Sequence, residues 1–470
     1  MSDDIAFLEL TELTARMHTG RLSPVEATEV MLRRIEALDP ALHSFALVLP
    51  DSARAEAKAA EAEIAAGHIR GPLHGAPVAV KDLCWVAGVP TAAGTTIYAD
   101  FRPTEDATVV RRLRDAGAII LGKLQLTEGA YADHHPKITP PANAWNAAHW
   151  SGSSSSGSGV ATAAGLCYGS LGSDTGGSIR FPCAAEGLTG IKPTWGRVSR
   201  YGVFELAATL DHIGPMARSA RDAAAMLSAI AGPDPHDPTA LQTEPQNFAD
   251  GIDGGVAGLR VGIDRAWIAR ASDDATRGVL DATEGALRTL GAEIVDVTFP
   301  GVRQAVADWF PLCGVEVAVA HEATYPARRA EYGPALAGLI DLGRGLSGME
   351  YQHIVLRRED LRGRVNALFG TIDLLLIPAQ GPAAPTLASM ATFGQDAALL
   401  ETLLTYTCPF DMTGHPTITL PGGFTDAGMP VALQLVATHQ AEALLCRAGH
   451  AFQTVTDHHR RHPVLPYKQG

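Results

Sequence analysis

Between Trp150 and Cys183 the chain reads WSGSSSSGSGVATAAGLCYGSLGSDTGGSIRFPC, two clusters of serine and glycine separated by small and apolar residues. The second cluster, Asp174-Thr175-Gly176-Gly177-Ser178, holds two of the three parts that hydrolytic nucleophilic catalysis needs. These are a hydroxyl that can attack and backbone N–H donors for the developing oxyanion. Glycines ahead of a serine permit backbone dihedrals that turn several N–H groups toward one point. Ser178 is therefore the candidate nucleophile, with the N–H groups of Thr175, Gly176, Gly177 and Ser178 as candidate oxyanion donors. The third part is a base, and spacing alone does not choose among Lys81, Lys123 and the 17 histidines. Neither Gly-x-Ser-x-Gly nor Ser-x-x-Lys is present at Ser178, which disfavours the common Ser-His-Asp hydrolases and the penicillin-binding enzymes.

Flexible linkers share this composition. A linker, however, has no reason to alternate Gly-Ser turns with VATAAGL, which suits a tightly packed helix, and CYGSLGSD, which reads as a short strand. Lys81 follows the compact run APVAV. Consecutive apolar positions predict a strand covered on both faces, and the lysine stands at its C-terminal end, where ligand crevices form in open α/β sheets. The competing reading pairs Lys81 with Asp82 at the surface. GAIILGKL nearly matches a phosphate-binding loop, but Leu124 occupies the hydroxyl position, so no nucleotide site is expected. Asp133, His134 and His135 ahead of Pro136 read as a solvated loop in preference to metal ligands. The proline-rich loop from Tyr131 to Trp150 is a candidate substrate wall or lid. No metal and no cofactor are expected.

The elements that must carry these residues form a β/α succession. Residues 4 to 19 have helical apolar spacing, and Ser23, Pro24 and Glu26 predict a capping box for a helix ending near Leu38, before Asp39-Pro40. A strand follows over 45 to 49 and an Ala/Glu-rich helix over Asp51 to Ala66, so 1–66 reads as a helical N-terminal scaffold. Strands recur at APVAV, AIILG, LRVGI, AEIVDV, DLLLIPA, HPTITLPGGF and MPVALQLVA. The polar, Pro/Gly-rich residues 232–258 read as a loop insertion, because strand and helix alternate on both sides of them. The expectation is α/β: a single large domain over 1–470, with a mixed central β-sheet flanked by helices on both faces. The closing HHRRHP reads as a solvated charged tail.

With 470 residues, 46% hydrophobic and 19% charged, the chain has a globular composition. Its net charge of −14 argues against a large nucleic-acid footprint. The six cysteines form no CxxC pair and read as buried thiols. An acidic N-terminus without an n-region and the lack of a long apolar run lead to the expectation of a cytoplasmic protein that neither spans nor binds a membrane. A homodimer is compatible with these features.

The strings VAVKDL, SGSSSSGSGVATAAG, GSDTGGSIRFP, GLTGIKPTWGRVSRYGV, TLDHIGPMARSARDAA and TGHPTITLPGGF together resemble the amidase signature family from about residue 20 to 463. The resemblance implies a lysine, a bridging serine on a cis peptide and a nucleophilic serine acting together. By motif these are Lys81, Ser154 and Ser178. It assigns Ser155 a supporting role and lets Asp174 and Arg180 orient the turn. Neutral Lys81 would take the Ser178 proton through Ser154 and return it to the leaving nitrogen. The implied substrate is a small-molecule carboxamide or anilide, with carbamates and esters within reach of the same chemistry. The second reading is the amidase-type component of a glutamine-dependent tRNA amidotransferase. Where the family has GGSSGGS this chain has Gly152-Ser153-Ser154-Ser155-Ser156-Gly157-Ser158, which leaves Ser155 as the nearest competitor for the bridge. The pocket walls are expected from 125 to 150, 310 to 350 and the loop after Pro378.

Overall fold

In the computed structural model, residues 5–392 and 396–465 are described, apart from the side chains of residues 397 and 398. Among these residues the chain folds as one α/β domain around an eleven-stranded mixed sheet. The strands are β1 (Phe45–Val48), β2 (Pro77–Lys81), β3 (Ile119–Leu124), β4 (Gly169–Asp174), β5 (Thr189–Lys192) and β6 (His212–Ala217). They continue with β7 (Arg260–Ile263), β8 (Glu293–Asp296), β9 (Leu374–Pro378), β10 (Thr417–Phe424) and β11 (Pro430–Val436). Their spatial order is β1-β3-β2-β4-β6-β5-β10-β11-β9-β7-β8. β3, β2 and β4 run parallel, as do β9, β7 and β8, and antiparallel pairs join the two groups.

The apolar runs that read as two-sided strands are fully buried in β2, β3 and β9, as a sheet covered on both faces requires. Outer helices covering it carry an apolar stripe, while Ser156–Ala163 and Arg180–Glu186 are buried all round. In Asp274–Thr289 the buried positions are Thr276, Val279, Leu280, Thr283 and Leu287, a 3.6-residue period. The edge strands β1 and β8 have only four residues each and are partly exposed, a form that limits edge-to-edge pairing.

Several boundaries differ from the sequence reading. The first helix spans Leu10–His18, beginning later than residue 4. The next helix, Pro24–Leu42, continues through Pro40 for a last turn, and Asp39 then accepts bonds from Ser44 and Phe45 to start β1. Its cap is one-sided: Ser23 Oγ accepts from the Val25 and Glu26 N–H groups, but its own hydroxyl goes to Glu61, so the box does not close. The near phosphate-loop GAIILGKL lies within β3, where Gly122 faces the Leu47 carbonyl across the β1 pairing. The HHRRHP segment is solvated only in part: Arg460, Arg461 and His462 are exposed, but the segment also packs against the fold. His459 is buried, His462 stacks on Phe7 at 3.7 Å and Arg461 lies over Phe424 at 3.8 Å. All six cysteines are buried and free.

Candidate active site

β2 and β4 are parallel neighbours, with Ala79 opposite Ser170 and Val80 opposite Leu171. Their C-terminal residues, Lys81 and Asp174, therefore emerge at the same end of the sheet. Ser154 and Ser155 lead into the helix Ser156–Ala163, every residue of which is buried. Small side chains let this helix lie close against β4, where Ser158 Oγ donates to the Leu171 carbonyl at 2.9 Å and Thr162 meets Ser170 at 2.8 Å. The linker-like composition thus has a packing reason: the two serine clusters meet in the interior. Gly152 (φ +81°) approaches Pro182 so closely that a Cβ would lie 2.5 Å from its Cα.

Lys81 is fully buried, and its Nζ lies 2.6 Å from Ser154 Oγ, 2.8 Å from Ser155 Oγ and 2.8 Å from Ser173 Oγ. Asp82 is not its partner. That carboxylate pairs with Lys123 at 2.8 Å and accepts the Ala92 N–H, while Lys123 also donates to Thr91. The competing surface pair is therefore absent, and Lys123 is committed elsewhere. Burial without a contacting carboxylate pushes the Lys81 ammonium down to about 7, against smaller upward pulls from Cys84, Asp174 and Asp211.

The three hydroxyls around Lys81 are not equivalent. Ser155 Oγ accepts from Lys81 and from the Ser173 N–H, and donates to the Ser173 carbonyl at 3.2 Å. One donor and two lone pairs are then fully used. Among the described residues Ser154 Oγ meets Lys81 alone, and the peptide joining it to Ser153 is cis. Its remaining hydrogen-bonding capacity is unspent. Ser173, the third hydroxyl, carries no mark in the sequence beyond its place in a strand.

Ser178 is one of the few partly exposed residues between Ser151 and Val198. It lines a cavity of about 470 Å³ together with Ser153, Thr175, Gly176, His134 and Trp309. Its hydroxyl makes no hydrogen bond among the described residues, including none to Ser154. The turn before it is held from outside. Asp174 accepts from the N–H groups of Gly177 (2.6 Å) and Ile179 (3.0 Å), Trp309 Nε1 donates to the Thr175 carbonyl at 2.8 Å, and Asp211 accepts the Thr175 hydroxyl at 2.6 Å. Gly177 has φ +137°, and a Cβ there would strike the Phe181 ring at 2.3 Å, so only glycine fits. The Gly177 N–H departs from the sequence reading: Asp174 occupies it. The N–H groups of Thr175, Gly176 and Ser178 have no partner among the described residues.

Arg180 and Asp174 are both fully buried, with Arg180 Nε and Nη2 reaching Asp174 at 3.0 and 2.8 Å. Nη2 also reaches Asp411 at 2.6 Å, and Nη1 the Thr407 carbonyl. Burial raises the Asp174 pKa, but the guanidinium and the N–H donors more than offset it and hold the carboxyl below its usual range. Both residues are placed to orient the turn. Asp411, a second anchor of Arg180, carries no sequence signal beyond its type.

His134 and His135 lie in the cavity wall, apart from any group of three or more His, Cys, Asp or Glu able to hold a metal among the described residues. His134 Nε2 is 3.1 Å from the Ser156 hydroxyl. Within the expected 125 to 150 the wall uses residues from Thr127 to Pro141 and Trp150, it adds Ser151 to Ser153, and after Pro378 it uses Leu387, Met390, Leu403 and Leu404. From 310 to 350 only Phe310 contributes, because the helices Pro334–Arg344 and Gly348–Leu368 pack behind Arg303–Ala320. Among the described residues no helix is long and apolar enough to cross a membrane.

The family model for Amidase matches residues 26–446. AmiD of Mycobacterium tuberculosis, classed by name as an amidase, is 50% identical over 464 residues, covering 98% of this chain and 97% of that protein. A glutamyl-tRNA(Gln) amidotransferase component from Chloroflexus aurantiacus is 35% identical, covering 98% and 99%. The native peptide amidase of Stenotrophomonas maltophilia superposes with a TM-score of 0.86 at 30% identity, over 99% of this chain and 100% of that one. Family match, near-complete coverage and common architecture agree: the chain belongs to the amidase family.

Proposed function

We propose that this hydrolase cleaves the C–N bond of a small carboxamide or anilide through an acyl-enzyme on Ser178. The observation that carries the reading is the fully buried Lys81, surrounded by hydroxyls and contacting no carboxylate, at the strand end beside the Ser178 turn. Burial favours the free amine near neutral pH, so Lys81 can act as a base. Ser154 carries the proton. It can donate to the neutral amine while its lone pairs accept from Ser178, whereas the Ser155 proton is spent on the Ser173 carbonyl.

Ser178 Oγ forms a bond to the acyl carbon, and its proton passes through Ser154 to Lys81. The free N–H groups of Thr175, Gly176 and Ser178 stabilise the oxyanion. Collapse breaks the C–N bond, and the leaving nitrogen takes the proton back along the same path. Water then attacks the ester, giving the acid and restoring Ser178. Carbamates and esters share this acyl chemistry.

The higher identity to AmiD than to the amidotransferase component, 50% against 35%, supports a protein that works alone. Purified protein without partners is expected to hydrolyse simple amides or anilides. A serine-directed phosphonate is expected to label Ser178, with both properties lost in Ser178→Ala while the circular dichroism spectrum is kept. Labelling that persists in Ser178→Ala would reject the nucleophile, and turnover only with partner proteins and glutamine would reject the free-standing enzyme.

A further inference from the structure

The cavity in front of Ser178 has a one-sided chemistry. Its walls are aromatic and aliphatic, with Tyr131 and Trp309 stacked at 6.4 Å and Trp150, Phe310, Leu403 and Leu404 around them. No lysine or arginine lines it among the described residues. Of the cations close in sequence to the site, Arg180 is committed to Asp174 and Asp411 and Lys123 to Asp82, while Lys137, between the lining residues Pro136 and Ile138, is exposed and lines a separate pocket with Glu36 and Asp39.

The histidines supply no positive charge in compensation. Both ring nitrogens of His135 face backbone groups, with Nδ1 accepting the Lys137 N–H and Nε2 meeting the Glu331 carbonyl. His134 is held neutral by burial, which pushes its pKa down to about 4. Among the described residues Asp133, an acid, is the one further titratable side chain on the wall besides Tyr131. A substrate carboxylate entering here would lose its water and gain no counter-charge, a penalty of the kind that excludes unpaired ions from protein interiors. An uncharged ring would lose only water that it binds weakly, and would gain contact with the aromatic walls. A volume of about 470 Å³ leaves room for an arylalkyl group beyond the amide itself.

We propose, resting on the Ser178 reading above, that the cavity selects uncharged amides bearing an aromatic or bulky aliphatic group and rejects amides whose distal end carries a carboxylate. Free glutamine, a short zwitterion, falls in the rejected class. The selection is made by the absence of a cation as much as by the presence of rings. A single introduced positive charge should therefore loosen it. Met390 suits that purpose, because it lines the cavity yet is partly exposed and lies outside the catalytic turn.

The test is the kcat/KM of the purified full-length protein on 4-nitrophenylacetamide, 4-carboxyphenylacetamide and L-glutamine. The first two have almost the same size and shape and differ by one charge. The nitro compound is expected to exceed the carboxylate and glutamine by about 100-fold or more. In Met390→Arg the ratio of kcat/KM for the carboxylate to that for the nitro compound is expected to rise about tenfold. Equal or better cleavage of the carboxylate or of glutamine by the wild-type protein overturns the proposal, and labelling of Ser178 by the phosphonate in the same sample shows that the nucleophile reading survives. If Ser178 is labelled but no amide turns over, the ranking is read from protection against labelling, where the same order is required. Absence of both turnover and labelling overturns the nucleophile reading, and this proposal with it.

Discussion

In the proposed mechanism Lys81 and Ser154 carry the proton, because a buried amine is a base only while it has no counter-ion. With the amine pushed down to about 7 by burial, kcat/KM should rise tenfold per pH unit below about pH 7 and level off above it. Ser154→Ala should lower kcat by about 1,000-fold or more at the plateau, leaving phosphonate binding sterically open. Ser155→Ala should act mainly on stability, since the hydroxyl it removes ties the Ser173 backbone. A pH–rate profile with no limb near 7 would remove Lys81 from the role of base. The sequence indicated Lys81 through its apolar run, and Ser178 through the glycines before it. It pointed to Ser154 only through the family resemblance and left Ser155 as a competitor, because the difference between them lies in how Ser173, distant in sequence, uses one lone pair and one proton.

At the scale of elements, the Ser178 turn is positioned by what packs behind it. The helix Arg303–Ala320 brings Trp309 to the turn, where its indole holds the Thr175 carbonyl and its ring lies against Gly176. Trp309→Phe keeps most of the ring and removes the donor, leaving a buried carbonyl unpaired. We expect kcat to fall about 10- to 100-fold, and by the same factor for a bulky amide and a short one. A loss confined to the bulky amide would mean that Trp309 serves the substrate and not the turn. Nothing in the residues around 309 announces this contact, since an indole N–H and a carbonyl in a different element share no local pattern. β2, β3 and β9 were legible because burial on both faces writes a continuous apolar run, whereas β5 and β6, interrupted by glycine and proline, do not read as strands. Boundaries such as Pro40 were less so, because a helix can lose one hydrogen bond at its last turn and still end where packing requires.

Across the whole molecule, the interior takes in an unusual set of reactive groups without exposing them. All six cysteines are at most 1% exposed, and burial raises the Cys84 and Cys167 thiols to about 12 and 11. Ellman's reagent should titrate no thiol promptly in the native protein and six after unfolding in guanidinium. Prompt reaction of one or more would show that the core opens. The single-domain architecture followed from the β/α succession, but the order of the strands did not. β5 ends at Lys192, and its partner β10 begins at Thr417, so the pairing that joins the two halves of the sheet is distant in sequence. During synthesis a chain that has completed β6 holds β5 as an open edge, with unpaired N–H and C=O groups in register for any passing strand. Its rightful partner emerges only after three further strands and the long helices have been made. The seam that completes the enzyme is thus also the place where an unfinished chain is most exposed to pairing with its neighbours.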